Sequence, residues 1–473
     1  MPGITRRSKS RSSPDHGLQP VCPVEYEGAV KMSSLNIESN DRILVLAPHP
    51  DDEVIGCGGV IQRAIATGAT VRIVFLTCGD SNELSFLLHR KHPVFTPSAV
   101  RRMGMIRSAE ALAAGAALGL DRGSITLLGY PDFGVMEIWY SHWGHCASLR
   151  SILTKADRVP YDSAYRPGAL HKGDAVLKDI TSIISDYRPT KIFVSHSADR
   201  NSDHRALYLF TQVALWNLER ELRPAVYPYL VHYKTWPLKK GYCPDEPMTS
   251  PAHLSDRVSW TRLTLQPLEV ARKRSAILMH ATQCRYSSRF LLSFARSCEL
   301  FGDYPRIVLP ANSPPQEGKN GCSRRAGSWS TADALTEAER SRLIGTQWQT
   351  VDWDGKHLTI SANLSRPLAG ALSFSLYIFG YRSNRAFARM PKLHIHIHPM
   401  KYEVLDQKRQ LSRTVISLVR TKCGVEVRVS AAVMGSPQRI MMRVSTHLAD
   451  VRLNSAPWRI LELQPPESDP AEG

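Results

Sequence analysis

The pattern of hydrophobic and polar positions divides the chain into two parts with different periodicity. In the first part, residues 43–47 are apolar throughout, which is typical of a strand buried on both faces of a parallel sheet. Residues 56–67 carry apolar side chains on one helical face, and residues 71–76 form a second apolar run. Such βαβ units predict a doubly wound α/β fold with a Rossmann-like, mostly parallel sheet flanked by helices.

The first part continues with the same alternation. Helices are predicted near residues 99–117, 174–186, 204–221 and 267–300, and strands at residues 125–128 and 191–195. Residues 135–172 are rich in Trp, Tyr, His and Pro, and we interpret them as a long loop or lid insertion. The aromatic residues there, near His142 and His145, either line a sugar site or pack in an ordinary way.

The second part has the shorter period of β-strands. It follows residues 310–340, whose polar and small side chains are typical of a linker. Segments that alternate or run apolar, with turns between them, then occur at residues 357–362, 371–381, 392–398, 412–420, 425–433 and 439–444. Several short strands at this spacing predict an all-β sandwich.

The length of 473 residues exceeds that of one ordinary domain and agrees with this division. The patterns predict two domains, a linker and two tails. The segments are a disordered basic tail at 1–40, an α/β domain at 41–308, a linker at 309–342, a β-sandwich-like domain at 343–465 and a tail at 466–473.

The composition limits the partners and the location. Lys and Arg number 60 against 43 Asp and Glu, so the net charge is +17. This balance favours an anionic substrate, such as a nucleotide-linked or lipid-linked one, although a basic surface alone also explains it. No nucleic-acid-binding motif occurs, so we expect no nucleic-acid partner. No apolar run reaches the ~18 residues of a membrane span and no secretory signal is found, which predicts a cytoplasmic protein with at most peripheral membrane contact.

Two polar segments follow predicted buried strands, where ligand sites of open α/β sheets lie. They are His49-Pro50-Asp51-Asp52-Glu53 and Asp199-Arg200-Asn201-Ser202-Asp203-His204. A catalytic zinc needs three protein ligands and one open position, and His49, Asp52 and His204 can supply the ligands. Asp51 can accept a proton from the attacking water. Each segment alone is also compatible with a solvated turn or a helix start.

These segments resemble the PIG-L (LmbE-like) zinc-dependent de-N-acetylase family, over about residues 41–305. The segment Pro48-His49-Pro50-Asp51-Asp52-Glu53 is highly specific for that family. Further matching segments are Arg107-Ser108-Ala109-Glu110, Leu128-Gly129-Tyr130-Pro131-Asp132, Asp203-His204-Arg205-Ala206, His280-Ala281-Thr282-Gln283 and Glu299-Leu300-Phe301. The resemblance implies hydrolysis of an N-acetyl group on a GlcNAc-type glycoconjugate.

The resemblance also implies roles for single residues. It implies a Zn²⁺ site, with Fe²⁺ as the other metal considered, whose ligands are His49, Asp52 and His204. Asp51 would be the general base, and Arg107 and Asp132 would contact the substrate. Arg107 is also compatible with an ion pair, and Asp132 with the cap of a turn.

One position departs from the family pattern. Asn201 stands where many members have a histidine that helps to polarise the substrate, and an amide cannot transfer a proton. Either Asp51 alone carries the proton to the leaving amine, or His280 or His196 contributes; we favour Asp51, with His280 second. Two other functions stay open: a metal-dependent amidase on a non-sugar or thiol-conjugate substrate, and a catalytically disabled carbohydrate-binding protein.

Three histidines on one predicted strand form a separate group. His394, His396 and His398 alternate along the chain, so they share a face of the sheet. Two such histidines can bind a metal. We predict an exposed polar strand face instead, because the sequence offers no partner ligand nearby.

Overall fold

A computed structural model describes residues 32–81, 96–311, 346–365, 367–370, 372–448 and 451–465. The predicted basic tail up to residue 31, residues 312–345 of the predicted linker region and the predicted tail 466–473 lie outside these ranges. Within them, no helix combines the length and the apolar character that a membrane crossing requires.

The first half of the described chain is an α/β unit. Its strands are β1 (Ser33–Ser34), β2 (Arg42–Ala47), β3 (Thr70–Thr77), β4 (Ile125–Tyr130), β5 (Lys191–Ser195), β6 (Ala225–Tyr229), β7 (Ser259–Thr264) and β8 (Cys298–Asp303). Its helices are α1 (Asp52–Thr67), α2 (Pro97–Ala117), α3 (Val135–Ser141), α4 (Gly173–Tyr187), α5 (Ser202–Asn217), α6 (Pro267–Met279) and α7 (Ala281–Leu291).

These strands form one sheet in the order β1-β7-β8-β6-β5-β2-β3-β4. The run from β6 to β4 is parallel, whereas β8 pairs antiparallel with β6 and β7. Val45 and Leu46 of β2 enter two different hydrophobic clusters, so both faces of the sheet are covered. The predicted mostly parallel, helix-flanked sheet is therefore confirmed. Its strand order reverses at β2, which has β3 on one side and β5 on the other.

A buried ion pair anchors helix α1, which begins within the first polar segment, at Asp52. Lys273 Nζ lies 2.6 Å from Glu299 Oε1, and both side chains are almost fully buried. Lys273 Nζ also donates to Ile55 O at 2.9 Å, and Glu299 Oε1 accepts the Gly59 N–H at 2.6 Å. A Cβ at Gly59 would lie 2.4 Å from the Leu265 side chain, which explains the glycine.

The second half of the described chain consists of β-strands in two sheets. The strands are β9 (Ile307–Leu309), β10 (Thr346–Trp353), β11 (His357–Leu364), β12 (Leu372–Tyr381), β13 (Lys392–Ile397), β14 (Tyr402–Asp406), β15 (Arg409–Gln410), β16 (Ile416–Thr421), β17 (Gly424–Ser430), β18 (Arg439–Leu448), β19 (Val451–Ser455) and β20 (Arg459–Leu463). One sheet has the order β10-β11-β17-β16, and the other β15-β14-β13-β12-β18-β20-β9, with β19 beside β18. Ile360 and Leu376, one from each sheet, belong to the same hydrophobic cluster, so the sheets pack against each other.

The aromatic segment predicted as a loop or lid packs between the two halves. Trp139 of α3 and the nearby Trp143 are fully buried. The Trp139 ring stacks on Phe379 of β12, 5.7 Å away between centroids, and meets Phe210 of α5 edge-on at 4.9 Å. Trp458 from the end of the chain contacts the same ring. Ordinary packing, and not the lining of a sugar site, therefore explains these tryptophans.

The structure also moves element and domain boundaries. β1 pairs in parallel with β7 and the following Leu35 is buried in the α/β core, so the fold includes residues before position 41. Leu309 of β9 pairs with β20 and does not begin a linker. The helix predicted near residues 267–300 is two helices that end at Leu291, and β8 follows them.

Candidate metal centre and active site

The two polar segments singled out in the sequence meet where the strand order of the α/β sheet reverses. Residues 48–51 connect β2 to α1, and residues 196–201 connect β5 to α5. Because β2 and β5 are parallel neighbours, their carboxyl ends bring both segments to one crevice. Ligands of open α/β sheets bind at this kind of position.

Three side chains converge in this crevice. His49 Nδ1 and His204 Nε2 each lie 3.1 Å from Asp52 Oδ2, and the two imidazole rings are 5.2 Å apart between centroids. All three residues are buried. Their ligand atoms lie within 4.8 Å of one another. The fold thus brings together the three residues that the sequence suggested as metal ligands.

A second carboxylate lies near the other ring nitrogen of each histidine, His49 and His204. Asp132 Oδ1 lies 3.1 Å from His49 Nε2, and Asp199 Oδ2 lies 3.2 Å from His204 Nδ1. Asp199 Oδ2 also accepts the His232 backbone N–H at 2.9 Å, which fixes the carboxylate. Metal-binding histidines typically donate their outer N–H to such a carboxylate, which sets the tautomer and the ring orientation.

The donor set fits a zinc ion. His204 Nε2 is buried and lacks a hydrogen bond of good geometry within the described chain, a state that is unfavourable unless a ligand satisfies this nitrogen. Two imidazoles and one carboxylate are ligands that catalytic zinc accepts, with a fourth position left for water. The atoms of His49, Asp132 and Asp203 form a second group within 4.8 Å, but Asp203 already accepts the Phe133 N–H at 2.5 Å.

The carboxylates and imidazoles perturb one another. Burial lowers the pKa of His204, but Asp199 and Asp52 outweigh this effect and raise it to about 9. Burial raises the pKa of Asp199, and His204 reverses the shift, so that this pKa is about 2. Against the same effect of burial, His204 and His49 hold the pKa of Asp52 well below its usual range. Both carboxylates are therefore ionised at neutral pH.

Asp51 lies beside these groups in a strained backbone conformation. Its φ is 127°, which residues with a side chain rarely adopt, and its N–H donates to Glu53 Oε2 at 2.9 Å. Burial raises the pKa of its carboxyl, Arg107 offsets part of this rise and Asp52 adds to it, so that the pKa is about 7. A carboxyl that titrates near neutral pH can both accept and return a proton.

The two residues that the resemblance assigns to the substrate are engaged within the protein. Arg107 is 3% exposed, and its guanidinium donates to the carbonyls of Gly79 at 2.9 Å and Pro50 at 2.7 Å. It therefore joins the loops that follow β3 and β2. Asp132 is also buried and faces His49. These positions suit residues that orient the loops and the imidazole, and a contact of either residue with a substrate stays a prediction.

Asn201 and His196 have local partners. The Asn201 side-chain oxygen accepts the Asp203 N–H at 2.9 Å and caps helix α5. His196 Nδ1 accepts the Ala198 N–H at 2.9 Å. Burial lowers the pKa of His196 to about 4, so this histidine is neutral at pH 7 and a poor proton donor.

His280 is connected to Asp51 through a third residue. It joins α6 to α7, is 1% exposed, and its Nε2 lies 3.0 Å from Glu53 Oε1. The other oxygen of Glu53 accepts the Asp51 N–H. Burial lowers the pKa of His280, but Glu53 outweighs this effect and raises it. The imidazole thus fixes Glu53, which fixes the backbone of Asp51.

Sequence reasoning assigned no role to three residues that organise this site, namely Asp199, Asp203 and Glu53. Asp199 had a usable signal, since a buried histidine ligand is usually backed by a carboxylate and this one lies five residues before His204 in the same segment. The partners of Asp203 and Glu53 are distant in sequence, at Phe133 and His280. Periodicity and local spacing carry no information about such contacts.

The three histidines near β13 form no comparable group. His394 and His396 have ring centroids 5.7 Å apart, but the His394 ring stacks on Tyr377 and its Nε2 lies 3.1 Å from Ser375 Oγ. The candidate metal groups found among the described residues contain neither of these histidines nor His398. The strand face is polar, as predicted, but it is half-buried rather than exposed.

The α/β unit matches known proteins. The family described as GlcNAc-PI de-N-acetylase (PIG-L) matches residues 44–215. Two relatives are named 1D-myo-inositol 2-acetamido-2-deoxy-alpha-D-glucopyranoside deacetylase. The one from Mycobacterium sp. (strain KMS) is 36% identical, and the match covers 39% of this chain and 52% of the relative. The one from Kribbella flavida is 27% identical, and the match covers 59% of this chain and 95% of the relative. This chain thus spans about half the length of the Mycobacterium relative.

A solved structure is similar to part of this chain as well. The N,N'-diacetylchitobiose deacetylase from Pyrococcus horikoshii is 19% identical, covers 53% of this chain and 75% of its own, and has a TM-score of 0.32. The family match falls within the range that the sequence motifs predicted and includes both polar segments of the crevice. Residues 44–215 of this chain are therefore a PIG-L family domain.

Proposed function

We propose that the protein is a zinc-dependent hydrolase that removes an N-acetyl group from a GlcNAc-type glycoconjugate. The observation that carries the proposal is the convergence of His49 Nδ1, His204 Nε2 and Asp52 Oδ2, with a further carboxylate behind each histidine. The PIG-L domain supports it, as do relatives named as deacetylases of an acetamido sugar.

The ligand set defines what the metal would contribute. His49, Asp52 and His204 would hold the zinc ion, which would lower the pKa of water from ~15.7 towards ~7 and polarise an acetamide carbonyl. Asp132 and Asp199 hold the imidazoles in the tautomers that leave His49 Nδ1 and His204 Nε2 free to bind it.

Asp51 moves the proton in this proposal. Its carboxylate accepts a proton from the attacking water as the new C–O bond forms, and returns it to the amide nitrogen as the C–N bond breaks. The products are acetate and a free amine. Arg107 Nη2 lies 3.6 Å from Asp51 Oδ2 and favours the ionised form that the first step needs.

The substitution at position 201 is compatible with this scheme. Asn201 uses its side-chain oxygen as a helix cap, and an amide transfers no proton. His280 acts through Glu53 and is a positioning residue. One carboxyl, that of Asp51, therefore serves first as base and then as acid.

The proposal also covers the charge of the substrate, the role of the C-terminal sheets and the location of the protein. The net charge of +17 supports a substrate with an anionic group. We interpret the two C-terminal sheets as a β-sandwich that stabilises the α/β unit. The sheet that contains β12 shares aromatic packing with that unit, and the other sheet packs against this one. A cytoplasmic location and the lack of a nucleic-acid partner stay predictions from the sequence.

Metal analysis combined with acetate release tests the proposal. The protein is assayed with a panel of N-acetyl sugars, next to Asp51→Asn and a control variant at an exposed aspartate, Asp162→Asn. We expect about one zinc per chain in all three proteins. Acetate release should fall about 10²–10⁴-fold in Asp51→Asn, the usual contribution of general acid–base catalysis, and stay at the wild-type level in the control.

Other outcomes lead to the alternatives. Acetate release only from non-sugar or thiol-conjugated amides identifies the amidase. One zinc per chain without any turnover identifies a disabled, carbohydrate-binding protein, for which Asn201 in place of the family's histidine is the favouring observation. A wild-type protein that binds neither zinc nor another divalent metal contradicts both hydrolase hypotheses.

A further inference from the structure

Neither the backbone conformation at position 133 nor packing in the core explains why a phenylalanine stands there. Its φ is 56°, in the left-handed region that glycine enters freely and a bulky residue enters at a cost. Its side chain is 61% exposed. It also belongs to none of the hydrophobic clusters formed by the described residues. A phenylalanine is thus kept where glycine would be less strained, which points to a use for its ring.

The structure fixes this residue at the rim of the candidate metal centre. The Phe133 N–H donates to Asp203 Oδ2 at 2.5 Å, and the Val135 N–H donates to Asp203 Oδ1 at 3.2 Å. Both oxygens of one carboxylate therefore hold the short loop between Asp132 and α3. The Phe133 ring centroid lies 6.3 Å from that of His49.

We infer that Phe133 is a substrate-positioning residue whose ring stacks on the C–H face of the amino sugar while the acetamide lies in the crevice. This inference rests on the proposed function. An acetamide nitrogen is bonded directly to the sugar ring, so the sugar must lie next to the crevice, where Phe133 is the exposed aromatic residue nearest to His49 in the described chain. Removing a flat aromatic ring and an apolar sugar face from water together is favourable.

The inference makes Phe133 a determinant of specificity. The zinc ligands and Asp51 act on the amide group alone, which sugars and acyclic amides share. A ring stacked on Phe133 favours only substrates that present a flat C–H face beside the amide. The residue should therefore raise the efficiency on N-acetylated sugars and leave that on small acyclic N-acetyl amides unchanged.

Steady-state kinetics of the zinc-loaded, full-length protein test this. The substrates are methyl N-acetyl-β-D-glucosaminide and N-acetylethanolamine, and the variants are Phe133→Ala and Phe133→Trp. We expect Phe133→Ala to lower kcat/KM for the glycoside about tenfold, mainly through KM, with no change for the acyclic amide. Phe133→Trp should keep at least half of the wild-type value. Ile152→Ala, which truncates an 81% exposed residue, is the control and should match the wild type.

A second measurement does not depend on turnover. In the Asp51→Asn background, the glycoside should raise the melting temperature less when residue 133 is alanine than when it is phenylalanine. Phe133→Gly, which relieves the left-handed backbone, should melt about 1–3 °C above Phe133→Ala. Equal effects of Phe133→Ala on both substrates, or none on either, overturn the inference. A wild type that releases no acetate overturns the proposed function instead, and the ligand-induced melting shift then decides on Phe133.

Discussion

Two regions of the molecule, the surroundings of His204 and strand β13, bury ionisable side chains in opposite ways. In the α/β half, His204 lies between Asp52 and Asp199, which raise its pKa to about 9 against the effect of burial. In the β half, His394 and Lys392 belong to no ion pair formed by the described residues. Burial lowers their pKa values to about 3 and about 7.

The contrast shows that burial alone does not identify a functional site. Lys392 is accommodated by local groups, since its Nζ donates to Phe387 O and Met390 O and lies 3.9 Å from the centroid of the Phe387 ring. Such a residue can be structural. Burying several opposite charges together at strand ends costs free energy, because each charged group loses its hydration. Titratable groups that perturb one another in this way are found mostly at functional sites.

The largest expected effect comes from removing one imidazole in each half. His204→Ala should lose its zinc and reduce acetate release about 10³-fold or more, because metal stabilisation amounts to several kcal/mol. His396→Ala in the β half should keep both zinc and activity. Metal analysis and acetate assays of the two variants check this. Zinc retained in His204→Ala, or lost in His396→Ala, contradicts the comparison.

The next effect concerns the two buried lysines. Lys273→Met leaves Glu299 as an unpaired buried charge and should lower the free energy of unfolding by about 3–5 kcal/mol. Lys392→Met leaves no acid behind and should change it by less than about 1–2 kcal/mol. Urea unfolding followed by tryptophan fluorescence measures both. Similar losses in the two variants would remove the distinction between paired and isolated charges.

A smaller effect on zinc affinity is expected from replacing the side chains that contact the histidines. Asp199→Asn removes the charge that orients His204 and should weaken zinc binding about 10–100-fold. Ser375→Ala, which removes the partner of His394, should leave zinc binding unchanged. Competition with a chelator gives both affinities. An unchanged affinity in Asp199→Asn would show that the carboxylate does not support the metal.

The last effect is a pH dependence. An unfolded lysine titrates near ~10.4, so above pH 7 the unfolded state binds one proton more than the folded state at Lys392. The contribution of Lys392 to the free energy of unfolding therefore increases with pH between about 7 and 10, by at most about 1.4 kcal/mol per pH unit. Asp406 and Asp174 reduce the shift, and Arg385 adds to it. Urea midpoints at pH 7.5 and 9.5 should show this rise relative to Lys392→Met, and parallel profiles would contradict it.

The sequence predicts most of the features that depend on local patterns. The apolar runs at β2, β3 and β5 and the strands at β11, β12 and β13 are close to their predicted ranges, because burial on one or both faces leaves a direct mark on composition. Both polar segments of the crevice are short and follow such strands. That is why His49, Asp52 and His204 could be proposed together from spacing and topology.

Features set by distant contacts could not be predicted in the same way. β1 is two residues long and is defined by its pairing with β7, and β9 by its pairing with β20. The hydrogen bonds of Arg107 run to the backbone of two loops, and neither its spacing nor the family resemblance indicates these partners. The Phe133 N–H donates to a carboxylate 70 residues away, that of Asp203.

The tryptophan packing around α3 has a consequence for how this protein can change over evolution. Trp139 is held on one side by Phe210 of the α/β half and on the other by Phe379 and Trp458 of the β half. The same short helix continues directly from the loop that carries Asp132, the partner of His49. In this chain the β half therefore supports the wall of the crevice through Trp139, so a variant with another domain in its place would need compensating changes around this tryptophan.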